Sequence, residues 1–521
     1  MNVLTIEKKI YETLGLITSE EYNPVTTHLA DAGKNLKPDI STLNIEQAIG
    51  FQKMVSFCEG NLCNEEGEEI DMLVVQGIAG TGKSYLNSRF LEYMMYKKSN
   101  QYSVAILTPT HQASNAAKKL SLHKNITYAT IHAIAGVRKI NNPQTGKEEY
   151  KPIQDPKFNE FDLIIIDEAG MVNKELANLV IRHCKNVKII WTGDPRQLPP
   201  VGETESFVYQ MEGGTDYKVE RIRLLEPMRA ALEHPITQIA NQIRLKPIRL
   251  NKIASNITDE GFRVIMPVPQ DRENGSDLTL DTLLEKIFSS SFYKEDNSYC
   301  AILAWSNKNV GMWNRRVRRI LWRAKYGVTA GAVPVLFERE YVKLSSAYIE
   351  KQEDSQGLVV DVPVFNNNDV LRVISYDPHI FIIPGIDKEL SILKAKVEKQ
   401  NAMGAWVEYP RAVELILSDK IEQYESLLRL FWDYVNNENP SLISTYWEVR
   451  NYGPILARYA YASTVHKRQG CTDVLNIIDA KNISASLYYP KDTPEAVRKD
   501  HYQRMLYTAS TRAKKGVYYL V

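Results

Sequence analysis

Residues 72–84 read Met72-Leu73-Val74-Val75-Gln76-Gly77-Ile78-Ala79-Gly80-Thr81-Gly82-Lys83-Ser84. The apolar run predicts a strand over Met72–Gln76, and Leu86, Phe90 and Met94 at four-residue spacing predict an amphipathic helix directly after it. Between them Gly77 to Ser84 satisfies G-x4-G-K-S/T in the strand-then-helix setting that motif requires. Gly77, Gly80 and Gly82, with Thr81 among them, let the backbone curl so that successive N–H groups point at phosphate oxygens, and the following helix adds the positive end of its dipole. Lys83 is expected to neutralise β- and γ-phosphate charge, and Ser84 to hold Mg²⁺.

Outward from this loop the same grammar recurs, a short apolar run followed by a polar turn and a helix-length segment. Candidate strands are Ser103–Thr108, Leu163–Asp167 and Val187–Thr192, then Cys300–Trp305, Arg458–Ser463, Val474–Asp479 and Val517–Val521. This predicts an α/β fold with parallel sheets in two similar lobes, whose ligands bind beyond the carboxyl ends of the strands. Leu163-Ile164-Ile165-Ile166-Asp167-Glu168 delivers two carboxylates at a strand end. Asp167 is expected to meet Mg²⁺ through water and Glu168 to orient the attacking water, since hydrolysis of ATP needs positioning and charge stabilisation above all. Loop and carboxylates alone indicate only nucleoside triphosphate binding.

Residues 331 to 454 interrupt the second lobe. They read first as β, through VPVLF, GLVVDVPVF, the turn Asn366-Asn367-Asn368-Asp369, VLRVISY and HIFIIPG. After Asp387 the spacing predicts helices in ELSILKAKVEKQ, AVELIL and YESLLRLFWDYV. A smaller insert over 137–160, with Asn142-Pro143-Gln144-Thr145-Gly146 at its centre, predicts a hairpin.

The chain has 521 residues and a net charge of +1, which excludes a small stapled scaffold and a uniformly basic polyanion coat. Charge is segregated, however. Ala301 to Ala330 carries Lys308, Arg315, Arg316, Arg318, Arg319, Arg323 and Lys325 with no acid, while six acids cluster from Glu59 to Asp71. The basic segment suits sequence-independent backbone contacts, with Trp305 or Trp313 available to stack on a base. Those arginines circle a helix, so some must face solvent or other domains. The acidic cluster is expected to be a solvated loop. Five scattered cysteines without a CxxC pair argue against a disulfide framework or a zinc site. No apolar run reaches membrane-span length and the start lacks signal-peptide features, so the cytosol is the expected compartment.

Three further stretches complete a pattern: Trp191-Thr192-Gly193-Asp194-Pro195-Arg196-Gln197-Leu198-Pro199-Pro200-Val201, Ser463-Thr464-Val465-His466-Lys467-Arg468-Gln469-Gly470 and Leu506-Tyr507-Thr508-Ala509-Ser510-Thr511-Arg512-Ala513. In this order the motifs resemble those of superfamily 1 helicases, and their GDxxQLPP, TxHKxQG and TRA forms resemble superfamily 1B, the branch with RecD-like, Pif1-like and Dda-like enzymes. The resemblance runs from about residue 43 to the C-terminus and implies two RecA-like P-loop domains.

Residue by residue, Leu43-Asn44-Ile45-Glu46-Gln47 resembles the Q motif, whose glutamine, here Gln47, reads the adenine edge; a helix cap is its structural alternative. Pro109, Thr110 and His111, then Thr130-Ile131-His132, resemble segments touching the single strand, as do Asn307 and Lys308 with Asn314, and Thr464, His466 and Lys467. His111 and His132 also suit capping or packing roles. Leu225-Glu226-Pro227-Met228-Arg229 resembles the segment whose arginine reaches the γ-phosphate, and Arg512 the arginine of the last motif, with structural ion pairs as alternatives. Asp194 and Gln197 would sense the nucleotide, with Gln469 and Gly470 beside it. Gly170, Arg468 and Ser510 depart from the residues usual in DExSM, HKSQG and ALTRA.

The insert most resembles that of Dda-like enzymes, an SH3-like β-barrel with a helical tower, and the hairpin then resembles a strand-separating pin. The expected domains are an N-terminal extension over 1–40; domain 1A over 41–136 and 161–235; pin 1B over 137–160; domain 2A over 236–330 and 455–521; and insert 2B over 331–454. The resemblance implies an ATP- and Mg²⁺-dependent DNA helicase moving 5′ to 3′ on single-stranded DNA and opening forked or tailed duplexes. It further implies a monomer working in phage-type replication, recombination or repair in the host cytoplasm, with a single-strand-binding protein or replisome component as a candidate partner and no membrane. An RNA-remodelling or protein-displacing ATPase stays open beside it, as do a P-loop kinase and a nucleotide-gated binding module.

Overall fold

The computed structural model describes residues 39–521 apart from 99–101, 112, 115–125, 142–147, 153, 212–216, 229–233, 246–249, 251–255, 258–262, 266–279, 328–330, 354–358, 402–403, 419 and 489–490. The N-terminal extension up to residue 38, the hairpin turn Asn142–Gly146 and Arg229 therefore lie outside the described residues. The chain divides into two compact units, one from residues up to 138 with 152–238, the other from 139–151 with 239–521.

Elements of the first part, in chain order, are α1 (Ile45–Cys58), β1 (Met72–Gly77), α2 (Lys83–Lys98), β2 (Val104–Thr108), β3 (Ile126–Thr130), the paired hairpin strands β4 (Val137–Asn141) and β5 (Glu148–Pro152), β6 (Leu163–Ile166), α3 (Lys174–His183), β7 (Lys188–Gly193) and β8 (Val219–Leu224). Six strands form one sheet in the order β3-β2-β6-β7-β1-β8, every neighbour parallel. Parallel strands are covered on both faces and so read as continuous apolar runs, and all four residues of β6 are buried. Leu86, Phe90 and Met94 of α2 are fully buried beside Phe51, Met54 and Phe57 of α1, as the four-residue spacing predicts. The acidic loop at 59–71 pairs with lysines: Glu59 with Lys97, Glu68 with Lys218 and Glu69 with Lys188. Such exposed pairs contribute little to stability.

The second unit contains β9 (Asn256–Ile257), β10 (Arg263–Ile265), α4 (Leu280–Phe288), β11 (Cys300–Ala304), α5 (Asn307–Tyr326), β12 (Tyr341–Leu344), β13 (Tyr348–Glu353), β14 (Val359–Phe365), β15 (Val370–Ile383), β16 (Lys388–Gln400), β17 (Trp406–Glu408), β18 (Val413–Ile416), α6 (Ile421–Asn437), α7 (Ile443–Tyr452), β19 (Ile455–Tyr459), β20 (Ala462–Thr464), β21 (Asp473–Asp479), α8 (Glu495–Ser510) and β22 (Ala513–Leu520). A sheet in the order β20-β11-β21-β22-β10-β9 is parallel except for its edge strand β9. Strands β15, β12, β19, β18 and β16 close on themselves, β15 pairing with β16, to make the small barrel.

Three expectations are corrected here. ELSILKAKVEKQ and AVELIL are strands β16 and β18, not helices. Leu390 and Ile392 bury against α6 and α7 while Leu393, Ala395 and Val397 bury in the barrel. The buried face thus changes between Ile392 and Leu393, and that slip breaks the two-residue alternation into something helix-like. VPVLF is not a strand, because the Pro334 and Val335 carbonyls accept from Arg318 Nη2 at 2.6 and 3.0 Å. The barrel also extends past residue 454, since β19 pairs with both β12 and β18. YESLLRLFWDYV is helical as expected, with Tyr424, Leu428, Phe431 and Val435 buried. Among the described residues no helix is long and apolar enough to cross a membrane.

Arg318 joins α5 to the barrel root. Its Nε donates to Glu340 Oε1 at 2.7 Å, its plane lies 4.1 Å from the Tyr459 ring centroid, and Glu340 also accepts from Tyr461 Oη and Phe337 N–H. Removing one partner leaves a buried charge unanswered. Arg318→Ala is expected to destabilise this unit by about 3–5 kcal/mol, read by urea denaturation, whereas Arg323→Ala on the exposed face of the same helix will change stability little.

Candidate active site

In the first unit β6, β7 and β1 are neighbours, with Ile166 opposite Trp191 and Gln76 opposite Gly193. Asp167-Glu168, Asp194 and the glycine loop therefore emerge side by side along one edge. The loop turns through Gly80 and Gly82, whose φ angles are 86° and 75°. A Cβ on Gly82 would collide with Gln47 Nε2 and lie 2.7 Å from Met228 Sδ. Glycine is thus required both by backbone conformation and by close approach.

The loop is held from three sides. Asn44 and Gln47 form a reciprocal cap at the start of α1, and the fully buried Gln47 also donates through Nε2 to the Thr81 carbonyl at 2.9 Å. The structure shows the helix cap and adds a tie to the glycine loop; both ends of the Gln47 amide are engaged within the protein, and its expected contact with the adenine edge is a proposal. Met228 N–H donates to the Gly80 carbonyl at 2.9 Å. Lys83 Nζ lies over the loop, donating to Gly77 and Ile78 carbonyls at 2.6 and 3.1 Å, and Thr81 Oγ1 donates to Ile78. Glu46, which the sequence reading did not single out, accepts from the N–H groups of Leu225 and Glu226 at 2.7 and 2.9 Å. It fastens the segment leading to Arg229 beside the loop; the available signal was an acid in the first turn after a capping residue.

Past β6, Asp167 N–H still donates to the Leu107 carbonyl, but Glu168 takes φ 56° and ψ 40° and donates its N–H to Asp167 Oδ1 at 2.9 Å. This left-handed step, costly for a residue with a side chain, ends the strand's alternation between the two carboxylates. Ser206 Oγ, donating to the Ala169 carbonyl at 2.8 Å, holds the turn that follows. Asp194 is buried and its Oδ1 accepts from Arg196 N–H, and Gln197 is buried beside it.

Tyr209 was also missed. Its hydroxyl is buried where a Cβ on Gly193 would collide with it, and a Cβ on Gly170 would stand 3.5 Å away. Nothing in the structure explains the departure from serine at Gly170, where a Cβ would meet the Asp194 carbonyl at 3.3 Å and the Tyr209 hydroxyl at ordinary contact distance. Burial, reinforced by the fields of Asp194, Glu168 and Asp167, pushes its pKa well up and keeps it neutral.

The segments expected to touch nucleic acid share one construction. Thr108 lies opposite Thr130, and Ala304 opposite Thr464, so Pro109-Thr110-His111 adjoins Thr130-Ile131-His132 in one unit, and Trp305 to Lys308 adjoins Val465 to Lys467 in the other. Each begins a capped turn: Thr110, Thr130, Ser306 and Thr464 hydroxyls accept from the N–H groups of Ala113, Ala133, Asn309 and Lys467. His111, Asn307, Lys308 and Lys467 are exposed, whereas His132 and His466 are half-buried. His466 stacks on His501 with centroids 5.8 Å apart, and burial, with His501 adding, lowers its pKa to about 4. It is therefore neutral at pH 7, and positive charge in this turn comes from Lys467, with Arg458 and Lys343 nearby. Trp313 is corrected as a stacking candidate: it is buried and its Nε1 donates to Asp479 at 2.7 Å. Asn314 is buried too, accepting from Ala462 N–H.

In the second unit the motif residues occupy both edges of the sheet. Thr464 pairs with the last residue of β11, but Leu475 pairs with its first, so the chain from Thr464 to Asp473 crosses from the carboxyl edge to the amino edge, past Gln469 and Gly470. Arg468 anchors that crossing: its Nε donates to Asp473 Oδ2 at 3.0 Å and its Nη2 to Oδ1, in a pair shut off from water. Asp473 N–H donates in turn to the Arg512 carbonyl at 2.7 Å, and Arg512 Nη1 approaches the Cys471 carbonyl at 3.5 Å. Ser510 is likewise structural, its Oγ donating to the Leu506 carbonyl and accepting from Tyr519 Oη.

A family described as "AAA domain" matches residues 66–255. The uncharacterized protein R530 of Acanthamoeba polyphaga mimivirus is 21% identical over 533 residues, covering 92% of this chain and 99% of that one. Among solved structures, Pif1 helicase from Candida albicans is 16% identical, covering 92% of this chain and 94% of that one with a TM-score of 0.42. Pif1 helicase from Bacteroides, solved with ADP-AlF3 and single-stranded DNA, is 15% identical, covering 90% and 91% at a TM-score of 0.42.

Gly193→Ala is expected to destabilise the first unit by about 1–3 kcal/mol through overpacking against Tyr209, and Tyr209→Phe in the same background to recover part of it, both by urea denaturation. Burial lowers the pKa of His501 in the same direction, and between pH 6.5 and 4 the unfolded chain binds a proton that folded His466 does not. Stability must fall as pH falls through that window, and His466→Gln will flatten the fall in melting temperature.

Proposed function

We propose that the chain is an ATP-dependent DNA helicase that moves 5′ to 3′ along single-stranded DNA and opens forked or tailed duplexes. The observation that supports this best is the crossing from Thr464 to Asp473: the strand-contact candidates Thr464, His466 and Lys467 begin it, the nucleotide-contact candidates Gln469 and Gly470 follow Arg468 directly, and its far end bonds to the Arg512 carbonyl through Asp473. A change at Gln469 and Arg512 is then transmitted to Thr464 and Lys467 without a separate relay.

In this reading the Gly77–Lys83 loop binds the phosphates, Glu168 orients water, and Asp194 and Gln197 report the state of the nucleotide. Arg229 and Arg512 take the roles the resemblance implies at the γ-phosphate. Ser84 and Asp167 would hold Mg²⁺, because such an ion needs one carboxylate and a hydroxyl besides water and phosphate oxygens. The donor set fits: parallel β6, β7 and β1 bring Asp167 to the same sheet edge as the glycine loop, and Ser84 stands in the first turn of the helix that the loop enters. When bound, the ion neutralises phosphate charge. We place the activity in phage-type replication, recombination or repair in the host cytoplasm, carried out by a monomer.

Turnover of ATP is expected to rise with single-stranded DNA, and duplexes with 5′ tails to open in preference to 3′-tailed ones. Stimulation by RNA alone, or stimulation without unwinding, would favour the remodelling ATPase, and no stimulation by either polymer a kinase or gated module. Lys83→Ala is expected to abolish turnover, read by phosphate release, while single-strand binding persists in a fluorescence titration.

A further inference from the structure

The structure gives the arginines of α5 three different settings. Arg318 is buried against Glu340, and Arg316 forks onto one oxygen of Asp281 from Nε and Nη2 at 3.0 and 2.6 Å. Arg315, Arg319 and Arg323 are exposed and make no ion pair among the described residues. At four-residue intervals they form one row about 12 Å long. With Arg316 they line a cleft of about 650 Å³ against Asp281 and Glu285 of α4.

Like charges at this spacing repel along a helix; α5 contains no acid, and of the two acids that α4 brings to the cleft Asp281 is taken by Arg316, which leaves Glu285 facing the three arginines of the row. A ligand with negative charge repeated along its length answers the whole row, whereas a single small anion answers one or two members. Guanidinium forks match phosphate oxygens in shape as well as charge. Position decides between a nucleic acid and an acidic protein segment. Asn307 and Lys308 open the same helix at the carboxyl edge of the sheet, so the row runs from about 12 to about 24 Å beyond Asn307. A polymer lying over Asn307 reaches the row by following α5; a separate acidic peptide has no such route.

We propose that the cleft between α4 and α5 is a second, sequence-independent surface for a nucleic-acid phosphate backbone, holding the stretch that continues past Asn307 and Lys308. This rests on the nucleic-acid reading of the preceding section and adds to it a site outside the strand-end segments. Asp281 acts as a positioning residue, fixing Arg316 at one wall.

The test uses the full chain and the variant Arg315→Gln/Arg319→Gln/Arg323→Gln. Binding of two labelled thymidine oligonucleotides, one short enough to cover the strand-end segments alone and one twice as long, is titrated over a series of salt concentrations. For the longer oligonucleotide the variant is expected to bind more weakly, with the slope of log K against log salt reduced by about 2, three phosphate contacts at roughly 0.7 each. Binding of the short oligonucleotide, DNA-free ATP turnover and melting temperature should not change. An unchanged slope for the long oligonucleotide overturns the proposal, as does equal loss for both lengths. A polyglutamate peptide that binds the wild type and not the variant, with DNA binding intact, overturns it in favour of an acidic protein partner. Failure of the wild type to bind either oligonucleotide overturns the helicase reading itself, which separates the two failures.

Discussion

Strands β6, β7 and β1 hydrogen-bond in parallel register, and a parallel ladder places the carboxyl ends of all its strands along one edge. That constraint brings a loop at residue 77, carboxylates at 167 and 168 and a turn at 194 together, although they are distant in sequence. Local devices then refine the arrangement. Glycine at 82 lets Gln47 approach the loop, and the left-handed conformation of Glu168 frees its carboxylate from the strand's alternation. Glu46 and Met228 tie the segment before Arg229 to the same loop through backbone hydrogen bonds.

The second unit uses the ladder differently. Its exposed strand-end residues, Asn307, Lys308 and Lys467, lie at the carboxyl edge, while Arg512 precedes β22 at the amino edge. A chain crossing between edges needs support inside the protein, and Arg468 supplies it through Asp473. A buried pair of this kind pays heavily in desolvation and is retained here in a geometry that also fixes the Arg512 carbonyl. The barrel meets the crossing as well: buried Lys343 of β12 donates to the Lys467 carbonyl at 3.3 Å, and burial lowers its pKa to about 8. Below that pH the amine is charged, so the barrel and the turn after Thr464 share a charged hydrogen bond under neutral conditions.

Departures from the family pattern acquire physical reasons only in three dimensions. Arg468 finds Asp473 and Ser510 bonds to Tyr519, while it is Gly193 that leaves space for the Tyr209 hydroxyl. In the basic helix, sequence shows seven cations and no acid; folding withdraws Arg318 into a core pair, couples Arg316 to Asp281, and leaves Arg315, Arg319 and Arg323 facing a cleft. Composition counted these side chains as equivalent, but burial and partners make them different objects.

The glycine loop, the apolar strands around it and the helix carrying Leu86, Phe90 and Met94 were determined by the sequence alone, because each depends on interactions within one short segment: glycine conformations, side-chain periodicity and caps; the expected strand Arg458–Ser463, by contrast, divides into β19 of the barrel and β20 of the parallel sheet. Strand β16 was not legible, since the face it buries changes midway from α6 and α7 to the barrel and its Leu, Lys, Glu and Ala residues favour helix in isolation. Nor were Tyr209, Glu46 or the Arg468 and Asp473 pair legible as parts of the site. Their roles depend on a partner and on the exclusion of water around both, and the tertiary structure decided them because desolvation belongs to the packed molecule and to no single stretch of its sequence.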